Sequence, residues 1–159
     1  MTTTEIREIC DFIQARLTGI NLLAGEIWKA QVMTGLRVRE VLTLPLMIIG
    51  ETGRNYLVKT LKGSSIRVIP KIHLSNLLTM MAVNQYPMEY GRYRKMLIRV
   101  FGGKSVYLKG KKCVTHLPRH LFAKELYKGG MSKQEVANEM GVSTTVAEKY
   151  IWSDLKQET

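Results

Sequence analysis

The chain has little of what would build a disulfide framework, a zinc site or a membrane span. Its 159 residues include two cysteines, Cys10 and Cys113, which lie too far apart for the usual spacing of metal ligands. No apolar run approaches the roughly 18 residues of a transmembrane helix, and residues 1–5 do not resemble a signal peptide. We therefore expect free thiols in a reducing cytoplasm, with no bound metal and no membrane partner.

Acidic residues are also scarce. Asp and Glu number 13 against 24 Lys and Arg, which leaves a net charge of +11. Such a charge attracts nucleic acids, because Lys and Arg that neutralise phosphates release counterions. The alternative is a basic surface that serves only solubility. Hydrophobic residues make up 45% of the chain, which is typical of a globular protein, and the length suits one domain.

Hydrophobic periodicity predicts a mostly helical chain with one small sheet. Thr2 and Glu5 fit a capping box at the start of the first helix, Gly19 and Asn21 are expected to end it, and Pro45 is expected to end the third helix. Helical segments are predicted at residues 2–17 and 22–33, in a short stretch through Leu44, and at 72–84, 88–101, 117–129, 132–140 and 143–155. Strands at 46–49, 56–61 and 66–70, with turns at 51–54 and 62–65, predict a three-stranded antiparallel sheet.

Three separated segments and one tyrosine carry recognisable motifs. The segments are TGLRVREVLTL at residues 34–44, KGSSIRVIP at 62–70 and HLPRHLFA at 116–123, and Tyr150 follows Arg119 by 31 positions. They resemble the TGLRxxELxxL box, the KGxxxRxVP hairpin, the HxLRHxFA box and the nucleophilic tyrosine of the tyrosine recombinases. Order and spacing match that family over residues 5–152, nearly the whole chain.

The resemblance implies both a fold and an activity. We expect an α+β, mostly helical tyrosine recombinase catalytic-domain fold that forms a single domain over residues 1–159, with no N-terminal core-binding domain. The implied function is site-specific DNA recombination of the integrase or invertase type, through a 3′-phosphotyrosyl intermediate. No cofactor is required by such a mechanism. The expected partners are double-stranded DNA and further copies of the chain in a tetramer on DNA, with a monomer when free.

The chemistry explains why the family uses these residue types. A phosphodiester under attack gathers negative charge on its non-bridging oxygens, which two guanidinium groups bind by paired hydrogen bonds. Arg37 and Arg119 are the candidates for this clamp. Lys62 is the candidate for protonating the leaving oxygen, with Lys59 as a nearby competitor, and His116 for accepting or orienting the proton of the Tyr150 phenol.

Two further residues are assigned supporting roles, and two positions depart from the family pattern. Glu40 is expected to pair with a basic group and orient it, and His120 to pack structurally or to contact a phosphate. Val142 occupies a position where the family has His or Trp, and it cannot donate a hydrogen bond; Trp152 is a possible substitute in space. Pro118 replaces the usual Leu before Arg119.

A basic segment is the candidate DNA-contacting surface. Tyr90 and Tyr93 are interleaved with it, and its proposed phosphate contacts are Arg92, Arg94, Lys95, Arg99, Lys111 and Lys112. The alternative is a solvated charged helix with no ligand.

Two other functions fit part of the sequence. Residues 132–146 are typical of a helix-turn-helix, with Gly141 at the turn and Ser143 capping a second helix that would present Thr144, Thr145 and Lys149 to DNA. A DNA-binding regulator on a recombinase fold with weak or lost catalysis would explain all the motifs. A type IB topoisomerase-like enzyme would share the chemistry without joining two sites.

Overall fold

The computed structural model describes residues 1–62, 65–84 and 88–157. Its helices are α1 (Thr3–Ile20), α2 (Leu22–Thr34), α3 (Val38–Leu42), α4 (Leu44–Met47), α5 (Ser75–Asn84), α6 (Tyr90–Phe101), α7 (Leu117–Lys128), α8 (Lys133–Met140) and α9 (Thr144–Ile151). The strands are β1 (Ile48–Thr52), β2 (Asn55–Lys59), β3 (Ile66–Pro70), β4 (Val106–Leu108), β5 (Lys111–Lys112) and β6 (Leu155–Gln157). The expected α+β, mostly helical class is confirmed. Of the helices described, none has the length and apolar character needed to cross a membrane.

Helix α1 begins at the expected capping box but runs further than expected. The Thr2 hydroxyl accepts a hydrogen bond from the Glu5 amide, and the Glu5 carboxylate accepts one from the Thr2 amide. The expectation that Gly19 ends this helix is wrong. Asn21 is the residue that leaves helical geometry, with φ −156°, and its side chain accepts a hydrogen bond from the Ala24 amide at the start of α2.

Helices α1 and α2 form the centre of the main hydrophobic core. Trp28 is fully buried between them, and its indole N–H donates to the Cys10 carbonyl at 3.0 Å. Phe101 of α6 packs against Trp28 edge-on, with ring centroids 6.0 Å apart. Both cysteines are buried free thiols. Helix α2 ends at Gly35, whose φ of +68° is readily adopted by glycine alone. This turn leads directly into the segment that carries Arg37.

The third helical segment is divided in two around Thr43. The expectation that Pro45 ends a helix is wrong, because Pro45 lies in the first turn of α4, where a missing amide hydrogen has no intrahelical partner to lose. As a result β1 begins at Ile48, and the preceding residues predicted as strand are helical. The predicted helices near 72–84, 88–101, 117–129 and 132–140 are present as α5 to α8.

The expected antiparallel sheet is present, in the order β1-β2-β3. Tyr56 of β2 faces Glu51 of β1 on one side and Ile69 of β3 on the other. Strand β2 ends at Lys59, and the Thr60 amide donates to the Ser65 carbonyl at 2.9 Å across the following turn. Two residues of the turn predicted at 62–65, Gly63 and Ser64, lie outside the described residues. The sheet therefore places the Lys62 segment at one end of the β2–β3 hairpin.

A second three-stranded sheet, which the sequence analysis did not predict, is formed by β4, β5 and β6. Its order is β5-β4-β6, with Leu108 of β4 opposite Leu155 of β6. The predicted helix at 143–155 is consequently too long, since α9 ends at Ile151 and the chain turns into β6. Lys124 fixes this turn, because its ammonium donates to the carbonyls of Ile151 (2.9 Å) and Ser153 (2.7 Å).

Helices α7, α8 and α9 pack around a second, smaller core. Its buried members are Ala123, Val136, Ala137, Met140, Ala147 and Ile151. A capping box at Ser132 and Glu135 begins α8, Gly141 (φ +68°) ends it, and the Ser143 side chain caps α9. This core holds α9, and therefore Tyr150, against α7.

Candidate active site

Arg119 is the most deeply placed of the candidate site residues. It lies in the first turn of α7 with no exposed surface. Its Nη1 donates to the Gly35 carbonyl at 2.6 Å and its Nε to the Tyr150 hydroxyl at 3.2 Å, while its Nη2 has no hydrogen-bond partner among the described residues. Burial lowers the pKa of this guanidinium, and the charge of Arg37 acts in the same direction, whereas Tyr150 opposes it. Arg119 thus connects the α2–α3 turn to the Tyr150 phenol. Its Nη2 is the guanidinium nitrogen left without an acceptor among the described residues.

Arg37 is held at the start of α3 by Glu40. The buried Glu40 carboxylate accepts hydrogen bonds from the Arg37 amide (2.7 Å) and the Leu61 amide (2.9 Å), and it forms an ion pair with Arg37 Nη1 at 3.3 Å. The pairing is of the kind expected for Glu40. It also ties the α2–α3 turn to the β2–β3 hairpin, one residue before Lys62.

The side chains of Tyr150 and His116 contact each other next to Arg119. The Tyr150 hydroxyl lies 3.2 Å from His116 Nδ1, which is the same distance that separates it from Arg119 Nε. Although His116 is exposed, partial desolvation lowers its pKa, and the charges of Arg119, Arg37 and Lys62 lower it further. The imidazole is therefore neutral near pH 7 and can accept a proton.

Lys62 and Arg37 line one open groove of about 540 Å³ between the hairpin and the α8–α9 turn. Val142 and Ser143 line the opposite side. Lys62 itself is exposed, and its charge is close enough to lower the pKa of His116. Lys59, the competing lysine, is exposed at the end of β2 and does not line the groove.

His120 is buried behind Tyr150. Its Nδ1 lies 2.7 Å from the Ser153 hydroxyl, which donates to the Tyr150 carbonyl at 3.0 Å. Burial lowers the pKa of His120 to about 3, so the ring is neutral. Because the Ser153 hydroxyl donates its one proton to the Tyr150 carbonyl, the tautomer that completes this chain has Nδ1–H donating to Ser153. Its ring centroid is 4.7 Å from that of Tyr150. These contacts fit the structural role among the two roles expected for His120.

Trp152 does not replace the missing hydrogen-bond donor at Val142. It packs edge-on against Tyr127, with ring centroids 5.9 Å apart, and the Lys133 ammonium lies 5.3 Å from its ring. It is absent from the groove that Val142 lines. The suggested substitution is therefore wrong. Pro118 lies in the first turn of α7, where proline is tolerated.

Arg67 is a buried cation close to the site. It belongs to the KGSSIRVIP segment, but the sequence analysis did not predict a role for it. It lies on β3 with 5% of its surface exposed, and its Nη2 donates to the Thr34 carbonyl at 2.5 Å. Burial lowers its pKa to about 10, and the Arg119 charge adds to this effect. Its position as the arginine of the KGxxxRxVP pattern was the available signal.

The candidate DNA-contacting residues are all exposed, but not on one face. At about 100° per helical residue, Arg92, Lys95 and Arg99 form a single stripe along α6, whereas Arg94 lies at the other edge of its exposed side. Lys111 and Lys112 are exposed on β5. The interleaved aromatics differ, since Tyr93 is buried and Tyr90 is half-buried with the Arg39 guanidinium 4.2 Å above its ring.

Comparisons with known proteins support the fold. No family model and no curated protein matches the chain. Among solved structures, XerA recombinase is 15% identical and covers 97% of the chain with a TM-score of 0.66, and the chain spans 60% of that protein. XerH site-specific recombinase bound to palindromic difH substrate is 19% identical and covers 94% of the chain with a TM-score of 0.63, and the chain spans 48% of that protein. Lambda integrase, solved as a tetramer bound to a Holliday junction, is 18% identical and covers 90% of the chain with a TM-score of 0.70, and the chain spans 46% of that protein.

The chain therefore has the fold of the tyrosine recombinase catalytic domain, as the motifs predicted. It spans about half to three fifths of the length of the recombinases it matches. Within the described ranges there is no cluster of three or more His, Cys, Asp or Glu side chains that could hold a metal ion.

Proposed function

We propose that this chain is the catalytic domain of a site-specific DNA recombinase that cuts and rejoins strands through Tyr150. One observation supports this most directly, namely that the Tyr150 hydroxyl lies 3.2 Å from both His116 Nδ1 and Arg119 Nε. His116 and Arg119, at the start of α7, thus meet the phenol of Tyr150 on α9. A fold shared with XerA, XerH and lambda integrase supports the same function.

The reaction assigns a step to each of the five catalytic candidates. A DNA phosphate enters the groove beside Arg37, and the Arg37 guanidinium binds a non-bridging oxygen. Arg119 is buried next to Tyr150 and does not line the groove, so the local structure must open for its unpaired Nη2 to bind the second oxygen. The neutral His116 accepts the Tyr150 proton while the phenolate attacks phosphorus. The bond from phosphorus to the 5′ oxygen breaks, and Lys62 protonates that oxygen. The phosphotyrosyl bond conserves the energy of the broken bond, so the reverse attack rejoins a strand.

The expected partner is double-stranded DNA, held in part by the stripe of Arg92, Lys95 and Arg99. The exposed side chains carry three positive charges within two turns of α6, a spacing suited to successive backbone phosphates. Lambda integrase was solved as a tetramer on a Holliday junction. We propose a similar assembly of this chain on DNA.

A DNA-binding regulator is the second candidate, and specific features favour it. Helices α8 and α9 are joined by a tight turn at Gly141, and Thr145 and Lys149 are exposed on α9. Val142 also leaves its side of the groove without a side-chain hydrogen-bond donor at that position. A protein that binds a site without cutting it would have these properties.

Covalent trapping on DNA tests the enzyme against the regulator. Duplexes selected for binding from a random library are nicked at successive positions, so that the short fragment released by cleavage diffuses away. We expect an adduct of protein and DNA that is lost in Tyr150→Phe and kept in the matched control Tyr127→Phe, since Tyr127 packs on Trp152 away from the groove.

The outcomes separate three functions. Specific binding by the wild type with no adduct at any nick position contradicts the proposal and favours the regulator. An adduct with strand exchange between two such sites supports the recombinase. An adduct with relaxation of supercoils and no exchange indicates a type IB topoisomerase-like enzyme.

A further inference from the structure

Arg67 lies where the segments that carry the candidate catalytic residues come together. Its Nη2 donates to Thr34, at the end of α2 and three residues before Arg37. Its guanidinium carbon is 5.8 Å from the ring of Phe122 on α7, the helix of Arg119. A methyl group added at Gly141, in the α8–α9 turn, would lie 3.1 Å from Arg67 Cγ. One side chain on β3 thus contacts the other three elements.

The carbonyls at the end of α2 receive two guanidinium groups. Arg67 donates to Thr34 and Arg119 donates to Gly35, at 2.5 Å and 2.6 Å. These carbonyls form the negative end of the α2 dipole, where a cation is stabilised. The pair fixes the left-handed turn at Gly35, which sets the direction in which the chain continues to Arg37.

Ser65, which precedes β3, and Arg67 within β3 both contact the α8–α9 turn. The Ser65 hydroxyl donates to the Gly141 carbonyl at 2.9 Å, and Arg67 packs beside the same glycine. Lys62 precedes this contact in the sequence and Val142 follows it. These two contacts hold the start of β3 against the α8–α9 turn, and both Ser65 and Gly141 line the groove.

Packing alone does not require an arginine at this position. Arg67 Nε and Nη1 have no hydrogen-bond partner among the described residues, and the charges of Arg119 and Arg37 oppose its own, although the carboxylates of Glu40 and Glu139 offset part of this repulsion. A buried cation with unmet donors and like charges nearby lowers stability, and an apolar chain of similar volume often replaces such a group without loss. An arginine therefore stands at a position where we expect methionine to be tolerated by the fold.

We propose that Arg67 is a positioning residue that holds Arg37, Arg119 and the α8–α9 turn in the arrangement required for cleavage. The inference rests on the proposed function. It assigns to Arg67 no contact with DNA, because its guanidinium is bonded to the Thr34 carbonyl and its side chain does not line the groove. Its loss changes the rate of the chemical step and leaves DNA affinity intact.

The first test compares Arg67→Met and Arg67→Lys with the wild type. We expect Arg67→Met to unfold at an unchanged or higher urea concentration, to bind DNA within about twofold of the wild type, and to form adduct at least about tenfold more slowly at saturating DNA. Arg67→Lys keeps the charge but loses the planar fork, and we expect it to remain slow. The matched control is Arg7→Met, which removes a guanidinium paired with Glu125 between α1 and α7 and should cleave normally.

Two results of this test would overturn the inference. One is adduct formation by Arg67→Met at the wild-type rate. The other is a loss of rate that merely follows a loss of folded protein. If Arg67→Met does not fold, Arg67→Lys is decisive, and a wild-type rate in that variant contradicts a role for the fork.

A second test does not depend on activity. Hydrogen exchange is measured at the amides of Gly35 and Val142, which are bonded to the carbonyls of Gln31 (2.7 Å) and Ala137 (3.0 Å). We expect both to exchange at least about tenfold faster in Arg67→Met, with no change at Asn21 between α1 and α2. Unchanged exchange at both turns overturns the inference. A wild type that forms no adduct overturns the proposed function and leaves this measurement valid.

Discussion

Three buried polar residues link the candidate site to the backbone around it. Glu40 ties Arg37 to the hairpin, Arg119 ties the Gly35 turn to Tyr150, and His120 reaches the Tyr150 carbonyl through Ser153. Each is at least nine-tenths buried, and each bonds to a segment distant in sequence. Because an unpaired polar group in such a place is costly, these contacts hold the site side chains in fixed positions before DNA binds.

The burial of His120 makes stability depend on pH. Its pKa is about 3 in the folded protein and about 6.5 when unfolded, so between these values the unfolded chain binds a proton that the folded chain excludes. The contribution of His120 is therefore fully present above about pH 6.5 and is lost as the pH falls toward 3. We expect the free energy of unfolding by urea to decrease by about 1 to 2 kcal/mol more in the wild type than in His120→Gln between about pH 7 and pH 5.

Glutamine is the suitable replacement because it keeps a polar group and does not titrate in this range. His116 is also shifted downward, and its contribution remains in both proteins, so that only the difference reports on His120. Equal pH dependence in the two proteins would show that His120 is not buried in its neutral form.

At the scale of elements, the turn between α2 and α3 is the most constrained connection. Gly35 has φ +68°, and a methyl group at its Cα would overlap the Phe122 ring. Gly53, between β1 and β2, has a similar φ of +55° but no heavy atom within 4 Å of that methyl position. The two glycines therefore share the backbone requirement and differ in packing.

Alanine at these two glycines separates backbone strain from steric overlap. We expect Gly53→Ala to lower the free energy of unfolding by about 1 kcal/mol, which is the penalty for a left-handed residue with a side chain. Gly35→Ala should cost about 2 to 4 kcal/mol, because displacement of Phe122 adds to the strain. Urea unfolding measures both, and equal losses would mean that the α7 side chain moves aside freely.

Most elements were predictable because their residues carry local signals. The capping boxes at Thr2 and Ser132 and the left-handed glycines at 35 and 141 act within a few residues. Strands β4 and β6 have three residues each and pair with each other although they lie far apart in the sequence, so no local pattern marks that pairing. The same pairing ends α9 at Ile151, where periodicity alone extended it to 155.

At the scale of the whole molecule, the net charge is +11, and part of the positive charge is concentrated on one face of α6. Arg92, Lys95 and Arg99 form the stripe on α6, and the expected DNA contact there is electrostatic. Replacing all three with alanine should weaken DNA binding and flatten the dependence of log K on log salt by roughly 0.9 for each phosphate that the variant no longer neutralises. Fluorescence anisotropy over a range of salt concentrations measures this slope.

The control removes the same charge from other exposed positions, with alanine at Lys29, Lys128 and Lys156. If that variant changes the slope as much as the α6 variant does, net charge rather than the stripe determines binding. A slope near zero in the wild type would contradict phosphate contacts as the source of DNA affinity.

The sequence by itself determined the class of fold and which side chains are candidates, because motifs and hydrophobic periodicity are properties of short segments. Tertiary structure decided how those side chains meet. Only folding brings Arg119 to the Gly35 carbonyl and Tyr150 to His116, buries His120 deeply enough to shift its pKa, and directs Trp152 away from the groove. These outcomes depend on desolvation and on contacts between distant segments, and neither is encoded in any single stretch of the chain.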